Sequence, residues 1–599
     1  MEVQENKSLK IDFSRDDLFD ELGLSRLHDS YMIEGETSPQ QRYAYVAQLF
    51  GSNLEHSQRL YDYASQHWLS FSTPILSMGR SKRSLPISCF LNYIEDTAEG
   101  LVNNLSETNW LSMYGGGVAV HVGTRSSDDK SVGVMPHLKT YDASSLAYRQ
   151  GRTRRGSYAI YLDISHPDIL QFADMRKPTG DPNIRCLNLH HGVNIPDSFM
   201  EIIERCMQDP TASDDWPLID PHTGETVEVV SAKELWERLL TLRIQTGEPY
   251  LHFIDTANRA LPEHLKEQGL TINGSNLCCE IELPTAADRT AVCCLSSLNL
   301  DYYDDWKDNQ RFFDDVLEML DNVIQYFIDN APDTIERARY SALRERSVGV
   351  GVLGFHSYLQ SKGIPFESAL AKSYNLSIFK RIKAALDKAN TRLANYRGPC
   401  IDAQLAGKNL RCSHVMAVAP TASSSLIMGN TSPSIEPFRA NAYRQDTLSG
   451  AYLNKNRHLD KILRERYADD KEYNAVWSNI ISHDGSCQHV ERLTDDEKLV
   501  FKTAMEIDQR WIIELAGDRA PWIDQGQSIN LFFRPDTYIK YLHAVHFLAW
   551  KSGLKGLYYL RSENLRKADK VGQQLERRII EEIDMVSIIN GEDCLACSS

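Results

Sequence analysis

The stretch 275-SNLCCEIELPTAADRTAVCCLSSLNL-300, followed by 314-DDVLEMLDNVIQYFIDN-330, decides how this chain is read. The runs NLCCEIEL and AVCCLSSLNL have the length and apolar content of short buried strands. In the segment after them, apolar residues recur at i, i+3 and i+4, as an amphipathic helix requires. The same alternation extends both ways. SCFLNYI (88–94), GGGVAVHVG (115–123), SYAIYLDI (157–164), SHVMAVAP (413–420) and QSINLFF (527–533) read as strands. EIIERCMQ (201–208) and AKELWERLLTLRIQ (232–245) read as helices. Alternation sustained over about 450 residues, without a linker or repeat, predicts one large α/β body.

Composition narrows the function classes. The 599 residues carry 65 basic and 82 acidic side chains, a net charge of −17, with 42% hydrophobic residues. Mean hydropathy is −0.40. These are ordinary globular values and exclude a collagen, a coiled coil or a disordered chain. The longest clean apolar run, Val348 to Phe355, is too short to span a bilayer. The start, MEVQENKSLKIDFSRDD, has no apolar core of a secretory signal, so a cytoplasmic protein without membrane contact is expected. The negative balance argues against a dedicated nucleic-acid binder. Twelve cysteines in 599 residues are too sparse for a disulfide-stapled domain, so reduced thiols are expected.

Their distribution departs from the ordinary. Two adjacent pairs lie fifteen residues apart, and a CxxC sits at 594–597. If SNLCCEIELP is extended, Asn276, Cys278 and Glu280 share one polar, reactive face, with Leu277, Cys279 and Ile281 on the apolar one. The same parity sends Cys293 and Cys294 to opposite faces. Adjacent cysteines on a strand diverge, which makes structural zinc awkward. No histidine has the local signature of a papain-like site, and inert buried thiols are the default for this pattern alone. Tyr558 and Tyr559 alone read as strand aromatics. The Thr421, Ser423 and Ser424 hydroxyls form a small-residue turn that serves as a helix cap or a phosphate cradle. Gly349, Gly351 and Gly354 satisfy GxGxxG, but the acidic residue about 20 positions on is missing, which excludes a dinucleotide fold.

Taken together, the motifs resemble the large, catalytic (α) subunit of ribonucleotide reductase, most like the class I enzymes. The resemblance runs from about residue 60 to the end. It rests on TPILSMGRSKRSLPISCF, SNLCCEIELPT, AVCCLSSLNL, VGVGVLGFH, PTASSSLIMGNTSPSIEPFRANAY, DQGQSINLFF, GLYYLR and the terminal CLAC, in that order. It implies a ten-stranded α/β barrel of two five-stranded half-sheets around a central finger loop. A helical N-terminal region (1–60), the barrel (61–565) and a C-terminal redox tail (566–599) follow from it. Only 88 residues precede Cys89, so no N-terminal ATP-binding cone is expected.

The resemblance also implies roles. Cys278 becomes the thiyl radical that abstracts the substrate 3′-hydrogen, Glu280 takes the 3′-OH proton, and Asn276 hydrogen-bonds the hydroxyl. Cys89 and Cys293 deliver two electrons and become a disulfide, so they should lie on neighbouring strands. Cys594 and Cys597 re-reduce that disulfide with electrons from thioredoxin or glutaredoxin. Tyr558 and Tyr559 carry the radical from a separate metal-containing β subunit; no cofactor or metal is expected in this chain. Thr73, Ser88, Gly117, Pro420, Thr421, Ala422, Ser423 and Ser424 bind the ribonucleoside diphosphate. Asp96, Arg125 and Arg185 belong to loops that bind dNTP or ATP effectors, in a homodimer. A cobalamin-dependent class II reductase and a non-catalytic, nucleotide-binding paralogue are the alternatives.

Overall fold

The computed structural model describes residues 8–81, 84–148, 156–447 and 450–562. Two parallel half-sheets close on each other through two antiparallel seams. In the first half, strands Cys89–Ile94, Gly117–Val122, Tyr158–Asp163, His190–Asn194 and Tyr250–His252 follow in chain order, each parallel to the next. In the second, Ala291–Asn299 runs parallel to Val348–Leu353. Parallel bridges Val350–Met416 and Val418–Gln527 add the extended segments 415–418 and 525–528. Leu531–Phe533 pairs in parallel with Leu560–Ser562. One seam sets Cys89–Leu91 against Ala291–Cys293, and the other sets Gly556–Leu557 against Leu251–His252. The ring therefore has ten strand positions, as the resemblance implies, although segment 415–418 is held by single bridges. Val350 N–H donates to Val415 O at 2.8 Å and Ser528 N–H to Val418 O at 2.9 Å.

Parallel strands covered on both faces need near-continuous apolar sequence. VGVGVL meets this, being buried at every position. Its glycines answer a packing demand: a Cβ at Gly349 would sit 2.3 Å from Leu295 Cδ2, and one at Gly351 2.7 Å from Ala417 O. The GxGxxG is thus a barrel strand with close neighbours. The outer layer is helical. Gln310–Asn330 turns a row of buried residues, including Phe313, Leu317, Leu320 and Ile324, toward strand Ala291–Asn299 and helix Ala369–Arg397. Each such side chain contributes about 1.5–3 kcal/mol on burial. The N-terminal helices Glu21–Ser30, Pro39–Phe50 and Leu54–Ser65 begin at side-chain caps, with a complete capping box at Ser38 and Gln41. No described helix is long and apolar enough to cross a membrane.

One expectation fails. AVCCLSSLNL is a strand, but NLCCEIEL is not: residues 277–279 form a turn, with Cys279 at φ 66° and its N–H donating to Asn276 O at 3.3 Å. The segment runs through the inside of the barrel, where no strand edge is open to it. The turn, rather than a pleat, gathers Asn276, Cys278 and Glu280.

Candidate active site

Because the finger loop forms no ladder, the barrel wall satisfies its backbone. His121 contacts Ser275 O at 3.0 Å and Thr285 Oγ1 at 3.0 Å through its two ring nitrogens. Burial pushes the His121 pKa down to about 3, so it is a neutral strut. Tyr161 O–H donates to Asn276 O at 2.7 Å, and Asn194 Nδ2 to Asn273 O at 2.9 Å. His252 bridges Asn194 Oδ1 (2.8 Å) and Glu282 Oε2 (2.9 Å). These four residues come from four consecutive strands of the first half-sheet. From the other half, Gly526 N–H donates to Glu280 O at 2.7 Å, and a Cβ there would press on the same oxygen at 3.1 Å.

Held this way, the loop presents three fully buried groups. Asn276 Oδ1 accepts from the N–H groups of Glu280 (2.9 Å) and Ile281 (3.1 Å), while its Nδ2 donates to Cys89 Sγ at 3.1 Å. Ser528 Oγ lies 2.5 Å from Cys278 O and 3.1 Å from Glu280 Oε2. Cys278 Sγ accepts from Tyr558 O–H at 3.6 Å. A thiol, a carboxylate, an amide and a phenol thus converge where water is excluded, as radical chemistry requires.

Cys89 and Cys293 are direct partners across the antiparallel seam, as expected of a pair able to form a disulfide. Cys293 carries a free thiol, so the two sulfurs are not joined to each other in this structure. Burial pushes the Cys293 thiol up, the Gln525 amide at 3.7 Å opposes this, and Glu280 adds to it. The thiol therefore stays protonated at neutral pH. Cys294 faces outward, with its S–H donating to Leu320 O at 3.6 Å, so the predicted parity holds. Cys594 and Cys597 lie outside the described residues.

Behind Cys278 stands a cluster of tilted and edge-on aromatics. The Tyr558 and Tyr559 ring centroids are 4.2 Å apart, and Tyr250, absent from the expected set, lies 4.9 and 5.1 Å from them. Tyr559 Oη is 3.1 Å from His190 Nδ1, which is 2.7 Å from Glu248 Oε1. Burial pushes Glu248 up, but Arg176 and His190 outweigh it and hold the carboxyl well below its ordinary value. His190 is the partly exposed end of this series. Tyr250 opens the short strand Tyr250–His252 and Ser528 precedes strand Leu531–Phe533, and neither residue carries a signal in one sequence.

The expected substrate residues lie at the starts of several elements. Gly117 pairs with Cys89 across the sheet and its N–H donates to Ser88 O at 3.0 Å. Thr73 opens helix Thr73–Leu76, just after a strand paired with Ala291–Asn299. Pro420 and Thr421 follow segment 415–418, and Ala422, Ser423 and Ser424 begin helix Ala422–Ile427, whose N-terminus has no side-chain cap. Among the effector residues, Asp96 and Arg125 meet at 2.8 Å, and His222 adds a third contact to Asp96 at 3.0 Å. Arg185 instead turns back on its own loop, donating to Thr179 O and Asp174 O.

Family models agree with this geometry. The ribonucleotide reductase all-alpha domain matches residues 17–84, and the ribonucleotide reductase barrel domain matches 87–403 and 401–560. The chain is 52% identical over 611 residues to a ribonucleoside-diphosphate reductase large subunit of Invertebrate iridescent virus 3, covering 94% of this chain and 97% of that one. It is 30% identical over 664 residues to the Caenorhabditis elegans large subunit, covering 98% and 82%. The Actinobacillus ureae class Id ribonucleotide reductase alpha subunit superposes with a TM-score of 0.80 at 35% identity, over 92% of this chain and 98% of that one. With the barrel, the finger loop and the cysteine pair in place, the chain belongs to the ribonucleotide reductase family, as a large subunit.

Proposed function

We propose that this chain is the catalytic subunit of a class I ribonucleoside-diphosphate reductase, working with a radical-generating, metal-containing β subunit. The contact that carries this reading is Tyr558 O–H to Cys278 Sγ at 3.6 Å, with the Tyr559 ring in tilted contact with Tyr558. A one-electron oxidant on the β subunit oxidises Tyr559 and then Tyr558. The Tyr558 phenoxyl takes the hydrogen atom of the Cys278 thiol and leaves a thiyl radical. That radical removes the substrate 3′-hydrogen while Glu280 accepts the 3′-OH proton, with Asn276 orienting the hydroxyl. The 2′-oxygen leaves as water, Cys89 and Cys293 together supply two electrons and two protons (one to the water, one to C2′) and become a disulfide, and the Cys278 thiol returns its hydrogen to C3′, which restores the thiyl radical. Cys594 and Cys597 return the pair to thiols with electrons from a thioredoxin- or glutaredoxin-like donor.

Asp96 and Arg125 belong in this reading to an effector-nucleotide site, and a nucleotide phosphate competes with Asp96 for Arg125. A homodimer in the cytoplasm is the expected working form. The deciding assay is CDP reduction with a dithiol, with and without a class I β subunit. Cys278→Ser and Tyr559→Phe should each abolish turnover while CDP still binds. Turnover with adenosylcobalamin and no β subunit, or full activity of Tyr559→Phe, refutes the class I reading.

A further inference from the structure

The turn Thr421–Ser424 is approached from an unexpected direction. Helix Glu21–Ser30 packs on helix Ala422–Ile427, and the two come close at Gly23, where a Cβ would lie 3.0 Å from Leu426 O. A glycine inside a helix costs about 1 kcal/mol relative to alanine. Here the missing side chain lets the two backbones come together. One turn along the same helix face, Arg26 Nη2 donates to Ser423 Oγ at 3.3 Å. Arg26 Nε is shielded from solvent and has no hydrogen-bond partner. No described carboxylate pairs with this guanidinium, in a chain with 82 acidic residues.

A half-buried arginine without a counter-ion is unfavourable unless an anion completes it. The group beside it is the start of a helix whose first N–H groups have no side-chain cap. At the other end of the arginine helix, Tyr31 Oη lies 3.2 Å from Thr73 Oγ1. The hydroxyls of Ser72 and Ser88, immediately before Thr73 and Cys89 in the chain, are buried without partners. Segment 21–31 therefore touches two separate parts of the expected substrate pocket with polar side chains.

We propose that Arg26 is a binding residue for the substrate diphosphate, and that Tyr31 positions Thr73 in the same pocket. The inference rests on the reading of Thr421–Ser424 as the diphosphate turn, and it makes the N-terminal helical segment part of the substrate site. A guanidinium offers two parallel N–H donors to phosphate oxygens, and such charge-assisted bonds are stronger than those of neutral groups. The Ser423 hydroxyl then serves as the resting partner that a phosphate oxygen replaces.

The test is steady-state CDP reduction by the complete α–β enzyme. Arg26→Gln should raise KM for CDP about 10- to 100-fold, the range for a lost charged hydrogen bond, with kcat within about threefold. Arg26→Lys keeps the charge without the fork and should fall between. The salt dependence of CDP binding should flatten in Arg26→Gln and persist in Arg26→Lys. Binding of cytidine, which has no phosphates, should be equal in all three proteins. Arg26 is refuted as a phosphate contact if KM for CDP moves less than twofold, or if cytidine weakens as much as CDP. Ser423→Ala separates the two readings. A raised KM there, with Arg26→Gln unchanged, leaves the turn standing and removes Arg26, while no change in either removes the turn.

Discussion

Ser528→Ala is the sharpest probe of how the finger loop is held. The Ser528 hydroxyl stands 2.5 Å from Cys278 O and 3.1 Å from Glu280 Oε2, so one oxygen serves both the backbone of the thiol and the carboxylate. It has a single proton, so it donates to one of the two at a time. The loss on deletion is therefore one bond rather than two. An orphaned buried carbonyl costs about 1–3 kcal/mol, and a donor lost from a carboxylate about 1.5–3. Removing one oxygen opens almost no cavity, so the penalty falls on the alignment of Cys278 and Glu280 rather than on the fold. If half to all of about 2–3 kcal/mol appears in the transition state, kcat/KM for CDP drops about 5- to 150-fold. The melting temperature should shift by no more than about 2 °C, given the large unfolding entropy of a chain this size. The assay is CDP reduction by the α–β enzyme at neutral pH. Unchanged kcat/KM refutes the role of this hydroxyl in aligning Cys278 and Glu280.

Two further outcomes test the barrel. Gly349→Ala places a Cβ 2.3 Å from Leu295 Cδ2 and 2.9 Å from Ala417 Cβ, so it should cost about 1–3 kcal/mol by overpacking and lower the melting temperature measurably. A variant as stable and active as the parent refutes the close packing of these strands. Glu345 is buried beside Arg289 and Asp402, and burial pushes its carboxyl up to about 7 from 4.5, with Arg289 opposing. Its folded form thus favours the proton, so its stabilisation is complete below pH 4.5 and is lost as pH rises through 7. The difference is worth about 3 kcal/mol. Glu345→Gln should remove that dependence and melt about 2 °C higher than the parent at pH 8, with little difference at pH 5. Melting curves that stay parallel across this range count against it.

What could be read in advance follows from where each conformation is decided. Strands such as Gly117–Val122 and Tyr158–Asp163 are buried on both faces, so their own apolar runs announce them. The finger loop is different. NLCCEIEL has strand-like composition, but its turn is imposed by His121, Tyr161, Asn194 and His252, which are far away in sequence. Local propensity loses to tertiary context there. The pleat argument grouped Asn276, Cys278 and Glu280 correctly through the wrong geometry. For AVCCLSS the same argument worked, because that segment does sit in a ladder. Asp96 and Arg125 were each legible through their loops, whereas the contact of Asp96 with His222 joins residues more than a hundred positions apart. Arg26 left no trace in the sequence, since its significance comes from a helix contact made through Gly23.

The back-to-back placement of Cys293 and Cys294 has a consequence for how oxidation is confined. Cys293 belongs to the inner cluster with Cys89 and Cys278, and Cys294 to the outer one beneath the helices. One strand thus acts as a partition between two neighbouring thiols, and oxidising equivalents generated inside have no short route outward. Cys294 and Cys412, both buried on the helix side, are spectators that cannot be recruited into a mispaired crosslink without opening the sheet.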